Sequence, residues 1–158
     1  MGNVLIDNVE VKGKSFNVKL DVYTCFYKAH GICSLDLSEE DVSKYPDFNK
    51  SGVLHCRSLY ENIKDNGVKF PVLLSSHKCG HYGISDGQHR ICICGRKGIK
   101  LPVYLDNNDI YKCRYCLIKE KGYLSIEDKN YPWFIQWIRR NRFLNPKRYR
   151  PDSSIINF

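Results

Sequence analysis

Residues 69–105, KFPVLLSSHKCGHYGISDGQHRICICGRKGIKLPVYL, constrain the fold more than any other stretch. KFPVLLSS reads as a β-strand, HKCGH as a tight turn and YGIS as a second strand, which together predict a hairpin. DGQHR then turns the chain into a helix over RICICGRK, ended by Gly98, and LPVYL returns as a strand. Ile91, Cys92 and Ile93 are poor helix formers, so that helix is inferred from its setting between strands more than from propensity. Strands separated by a helix must bury their apolar faces together, so the expected class is α/β (α+β): a small mixed sheet with flanking helices.

The rest of the chain extends this pattern. VEVKGKSFNVKLDVYTCFY alternates apolar and polar residues, which predicts an early hairpin or two strands. GICSLDL reads as a short strand, and Ser38 as the N-cap of a helix whose first turn carries Glu39, Glu40 and Asp41. Asn49 to Gly52 reads as a loop. HCRSLYENIKDNGV is the clearest helix, with Leu59 and Ile63 on one face and Asn66-Gly67 at its end. DNNDIYKCRYCLIKEKGYLSIEDKN reads as irregular or partly helical, PWFIQWIRRNRFLN as a helix with Pro132 in its first turn, and the tail as extended. The expected organisation is N-terminal strands or a hairpin over 1–30, a core over 31–110, and a basic, aromatic extension over 111–158 packed on that core.

The 158 residues, 42% of them hydrophobic, suffice for one packed domain. The first residues lack the apolar core of a secretion signal, Ile6 stands where a myristoylation signal needs Ser or Thr, and no run of about 18 apolar residues occurs. A soluble cytoplasmic protein is therefore expected, with its eight cysteines reduced and several buried as small hydrophobes. Charge is concentrated: Lys129 to Arg150 holds seven of the 25 Lys and Arg residues and none of the 17 acids. That stretch thus carries +7 of the net charge of +8, and the rest of the chain is nearly neutral.

The corner Asp86-Gly87-Gln88-His89-Arg90 holds more chemistry than a turn needs. A helix start offers free backbone N–H groups and the positive end of the dipole, both of which favour a phosphate. Gly87 permits close backbone approach, Arg90 can grip two phosphate oxygens, and His89 can donate or carry charge near neutral pH. Asp86 fits such a site if it holds Mg²⁺ alongside phosphates, a ribose hydroxyl or a substrate proton. The simpler reading is a surface turn capped by Asp86 with Arg90 solvated.

Residues 55–105, in the order helix, G-V-x-x-P strand, hairpin, D-G-x-H-R corner and G-I-x-x-P-V, resemble the ParB/sulfiredoxin-like domain family, with a looser match back to about residue 31. The resemblance implies nucleotide or phosphate binding at the corner. Sulfiredoxins use a cysteine where Gln88 stands, which argues against their activity, and ParB proteins carry a different corner and a following DNA-binding domain for which too little chain remains. The corner is most similar to the D-G-H-H-R type of the free serine kinases. That likeness implies a nucleotide-dependent phosphotransferase acting on a small hydroxyl-bearing substrate, with ATP or ADP (or CTP) and Mg²⁺. Gly87, Gln88, His89 and Arg90 would hold the nucleotide, Asp86 the metal, and Asp86 and His89 would join an upstream acid in catalysis. By position that acid is Asp47, or less well Glu39 or Glu40. The alternative is a nucleotide-sensing or nucleic-acid-binding module that performs no phosphotransfer.

Two further groups stand out. Cys113-x-x-Cys116 and the turn His77, Cys79, His81 could supply four zinc ligands, but the spacing is not that of paired knuckles and the turn would have to reach past the LPVYL strand, so zinc is not expected. The helix PWFIQWIRRNRFLN is expected to dock on the core through Trp133, Phe134 and Trp137 with solvated arginines; the sharper reading is a surface over 129–150 for nucleic acid, since interleaved arginines and aromatics suit single strands.

Overall fold

The period-two alternation becomes six strands in the computed structural model, which describes residues 4–20, 25–45, 50–107, 110–123 and 131–158. They are β1 (Val4–Val9), β2 (Ser15–Val18), β3 (Val72–Ser76), β4 (His81–Asp86), β5 (Leu101–Asn107) and β6 (Ser154–Asn157). They form one sheet in the order β1-β5-β3-β4-β2-β6. β1–β5, β3–β4 and β2–β6 pair antiparallel, whereas β3–β5 and β2–β4 pair parallel. The sheet is therefore mixed and the fold class α/β, as expected.

One face of this sheet makes the core. Val72 and Leu74 of β3, Leu101 and Val103 of β5, and Phe16 and Val18 of β2 are buried, while Leu73 and Tyr104 between them are exposed. The buried set packs on α3 (Lys50–Asn66) through Ile63 and on α4 (Gln88–Lys97) through Ile91, Ile93 and Cys94. Apolar burial of this kind stabilises by about 1.5–3 kcal/mol per large side chain, which explains why Ile91 and Ile93 sit in a helix despite their weak propensity.

Several expectations are corrected. Of the two alternatives for the N-terminal stretch, two separate strands hold and the hairpin does not: β1 borders β5 at one edge and β2 lies between β4 and β6. GICSLDL is not a strand. After α1 (Phe26–His30) it forms a 3-10 turn over Ser34–Asp36, because Arg57 of α3 donates to the carbonyls of Ser34 and Leu37 at 3.0 and 2.5 Å and removes them from any ladder. Ser38 caps α2 (Glu39–Ser43) as expected, its hydroxyl accepting the Asp41 N–H at 3.0 Å. The loop expected from Asn49 to Gly52 is helical from Lys50, where α3 begins.

The C-terminal part also differs. α5 (Arg114–Lys121) follows the sheet, and α6 (Trp133–Arg140) stops before residue 141 because the Asn141 side chain accepts the N–H groups of Phe143 and Leu144 at 2.9 and 3.2 Å. α6 is not docked through its aromatics: Trp133 is 80% exposed and Trp137 62%. What packs is the tail. β6 completes the sheet beside β2, Phe158 lies over Gly95 of α4, where a Cβ would strike its ring, and Arg114 grips Asp152 with two bonds of 3.0 and 2.9 Å. No helix among the described residues is long and apolar enough to cross a membrane.

Candidate functional site

β4 delivers the chain to the corner, and Gly87 turns it. Gly87 adopts φ 89° and ψ 27°, a left-handed conformation that side chains resist, and a Cβ there would lie 3.0 Å from the Val72 Cβ and closer still to its Cγ1. Glycine is thus required by the backbone and by the packing of the corner on β3. α4 starts immediately afterwards with no side-chain cap and no acid in its first turn. The leading N–H groups of such a helix have no intrahelical acceptor and carry its positive end.

The first turn of α4 lines a cleft of about 500 Å³, together with Lys19, His55, Leu59 and Asp86. The Gln88 side-chain oxygen accepts the Lys19 N–H at 2.7 Å, tying the end of β2 to the corner. His89 stands edge-on to His55 of α3 with ring centroids 5.0 Å apart, and its Nδ1 lies 3.4 Å from the Cys56 Sγ. Burial pushes the Cys56 thiol up to about 12, so it stays protonated beside the imidazole. Arg90 is anchored to the protein itself: it donates to the carbonyls of Phe70 and Pro71 and pairs with Asp86 at 2.6 Å. It therefore braces the corner against the segment leading into β3, and the solvated Arg90 of the simple turn reading does not occur, as it is only 18% exposed. Asp86 is 63% exposed and makes no cap for α4.

Asp86, Gly87, Gln88, His89 and Arg90 are thus brought together on one cleft. Glu39 and Glu40 are not: Glu39 lines a separate hollow with Val42, Lys50 and Arg57, away from the corner. Asp47 lies outside the described residues. His55 and Lys19 were missed by the sequence reading. His55 had a signal, since it precedes Leu59 by four residues on the same face of the clearest helix; Lys19 had none, because its position depends on β2 lying beside β4. A larger hollow of about 650 Å³ runs between α1, α4 and β6, but its Arg96 is already paired with Asp36 and it carries no imidazole or helix start.

The cysteines divide into two groups. Cys25, Cys33, Cys56 and Cys92 surround a hollow of only about 20 Å³ under the corner, and burial pushes the Cys92 thiol up to about 11. These act as small hydrophobes, as expected. At the other end of β4, Cys79, His81, Cys113 and Cys116 converge with their donor atoms within 4.8 Å of one another. Burial resists ionisation of Cys79, yet the backbone N–H groups of Cys113 and His81 hold its thiol below the ordinary range. Burial raises Cys113 to about 12. His77 is not part of this group.

Fold and cleft together define a mixed α/β domain with a polar pocket at a strand-to-helix corner. No family model matches the chain, and no curated protein or solved structure matches it either.

Proposed function

We propose that the corner cleft binds the phosphates of a nucleotide and that the chain is a nucleotide-dependent phosphotransferase acting on a small hydroxyl-bearing molecule. The observation that carries this reading is the uncapped start of α4, opened by left-handed Gly87 into a cleft that also holds Lys19 and two imidazoles. The donor set fits an anion: backbone N–H groups, His55, His89 and Lys19, whose ammonium also lies 3.9 Å from Asp152, surround the space, and the one carboxylate lining it, Asp86, is already balanced by Arg90. In this reading the nucleotide supplies the phosphoryl group and Mg²⁺ offsets its charge. The N–H groups of α4 and His89 hold phosphate oxygens, Asp86 takes the metal, and Arg90 keeps the corner rigid so that positioning is maintained. Asp47 is the candidate base for the acceptor hydroxyl, a role that rests on the family resemblance.

The test is thermal stabilisation by ATP, ADP, CTP and GTP, each with and without Mg²⁺, followed by transfer assays against small alcohols that include serine. At a ligand concentration 100 times Kd the stabilisation should be about 2.7 kcal/mol. Asp47→Asn should keep nucleotide binding and lose about 10²–10⁴ in rate. Absence of stabilisation by every nucleotide would remove the reading.

A second reading has its own support. Trp133, Trp137 and Phe143 are exposed beside Arg139, Arg140 and Arg142, a combination suited to stacking and phosphate contacts on single-stranded nucleic acid. Binding through about six cations should weaken with salt at a log–log slope near −4 for a single strand. A slope near zero excludes this surface as the interface.

A further inference from the structure

The turn between β3 and β4 and the start of α5 are far apart in sequence, and the sheet brings them together. β3 and β5 are parallel neighbours in register up to Ser76 opposite Asn107, so the segments that follow them leave the sheet at the same end. The Lys78 N–H then donates to the Tyr111 carbonyl at 3.0 Å and fixes the two segments side by side. Cys79 and His81 come from the first, Cys113 and Cys116 from the second.

We propose that Cys79, His81, Cys113 and Cys116 form a closed, structural zinc site, which goes beyond the phosphate reading of the corner and does not depend on it. Three thiols and one imidazole are a set that zinc takes in structural sites. A tetrahedral zinc with bonds of about 2.3 Å to sulfur and about 2.0–2.1 Å to nitrogen spaces its donors roughly 3.5–3.8 Å apart. The His81 Nδ1 lies 3.4 Å from both the Cys113 and Cys116 Sγ atoms, and all four donors fall within 4.8 Å. The Cys113 N–H donates to the Cys79 Sγ at 3.3 Å, an outer hydrogen bond that holds a sulfur ligand in place. Cys113 is the N-cap of α5, so the helix start also favours negative sulfur there. With four protein donors the metal has no open position, which suits a staple and not a catalyst.

The staple has a defined span. It ties the β3–β4 turn to α5, and Arg114 beside it carries the connection on to Asp152 and the tail.

The experiment uses the full chain, purified under reducing conditions without chelator. Elemental analysis should find one zinc per chain. After chelation, cobalt(II) should give the visible absorption of a tetrahedral thiolate site, saturating at one equivalent and displaced by zinc. Cys79→Ser and Cys116→Ser should lower zinc affinity on the order of 100-fold or more, whereas His77→Asn should leave it unchanged. If the serine variants do not fold, the wild-type cobalt spectrum decides alone. Reduced protein that binds no zinc, gives an octahedral cobalt spectrum, or is isolated with iron in place of zinc overturns the proposal.

Discussion

At the Asp86 end of β4, the polar groups are already matched by protein partners: Asp86 with Arg90, Arg90 with the Phe70 and Pro71 carbonyls, Gln88 with the Lys19 N–H. At the His81 end, about 17 Å away along a strand that rises roughly 3.3 Å per residue, three thiols and an imidazole face chiefly one another. The first end keeps its shape because its side chains are held by protein partners, so it can present a cleft, and the open N–H groups of α4, before any ligand arrives. The second gathers soft donors whose mutual contacts are weak, so its rigidity depends on what it holds. The contrast separates two uses of polar residues on one strand: a finished frame around a space, and an unfinished shell around a point.

The largest test of that contrast acts on the His81 end. Cys113→Ser, or removal of zinc by a chelator, should destabilise the chain by more than about 4 kcal/mol, read as a fall in denaturation midpoint, because loss of a structural metal belongs to the few mechanisms with effects of that size. A midpoint unmoved by chelation would make both ends alike.

Gly87→Ala comes next. It forces an alanine into a left-handed conformation and drives its Cβ into Val72, at an expected cost on the order of 2–4 kcal/mol in urea unfolding. Wild-type stability in this variant would show that the corner relaxes freely and is no frame at all.

Arg90→Ala should cost about 1.5–3 kcal/mol, because the two carbonyls it serves lose a charged donor. Nucleotide affinity should fall with it, whereas Arg90→Lys should restore charge but not the forked contact. Combined with zinc removal, the stability losses should add within about 0.5 kcal/mol, since Arg90 and the four cluster residues bond to different groups. Strong non-additivity would mean that β4 couples them.

The smallest effect belongs to Asp86→Asn. Asp86 is well exposed, and Arg90 keeps its two carbonyl partners without it, so stability should change by no more than about 1 kcal/mol. Mg²⁺-dependent nucleotide binding should nonetheless weaken, and equal affinity with and without Mg²⁺ in the wild type would remove Asp86 as the metal holder.

The hairpin, the corner, α4 and β5 were legible because turn residues mark them: Gly80 and Gly87 both adopt positive φ, and Gly98 ends the helix. DGQHR was legible as a strand-to-helix corner for the same reason. The rest depended on pairings that no local pattern carries. The zinc ligands look unrelated until β3 and β5 are known to be parallel neighbours, which is why the turn seemed too far from Cys113. GICSLDL has a strand's composition, but the distant Arg57 takes its carbonyls. Trp133 and Trp137 read as core residues by type, yet the apolar side chains that α4 and the sheet need come instead from the tail, with Phe158.

β6 has a consequence for how the chain is made. Synthesis runs from the N-terminus, so β2 leaves the ribosome early and its outer partner is the last of the six strands to emerge. Until residues 154–157 arrive, the nascent chain carries an unpaired border along β2, the kind of edge that invites pairing with another molecule. Its shortness, four residues, limits that hazard. Completion of the sheet thus waits for a strand more than 130 residues along the chain from β2, and pairing across such a separation slows folding.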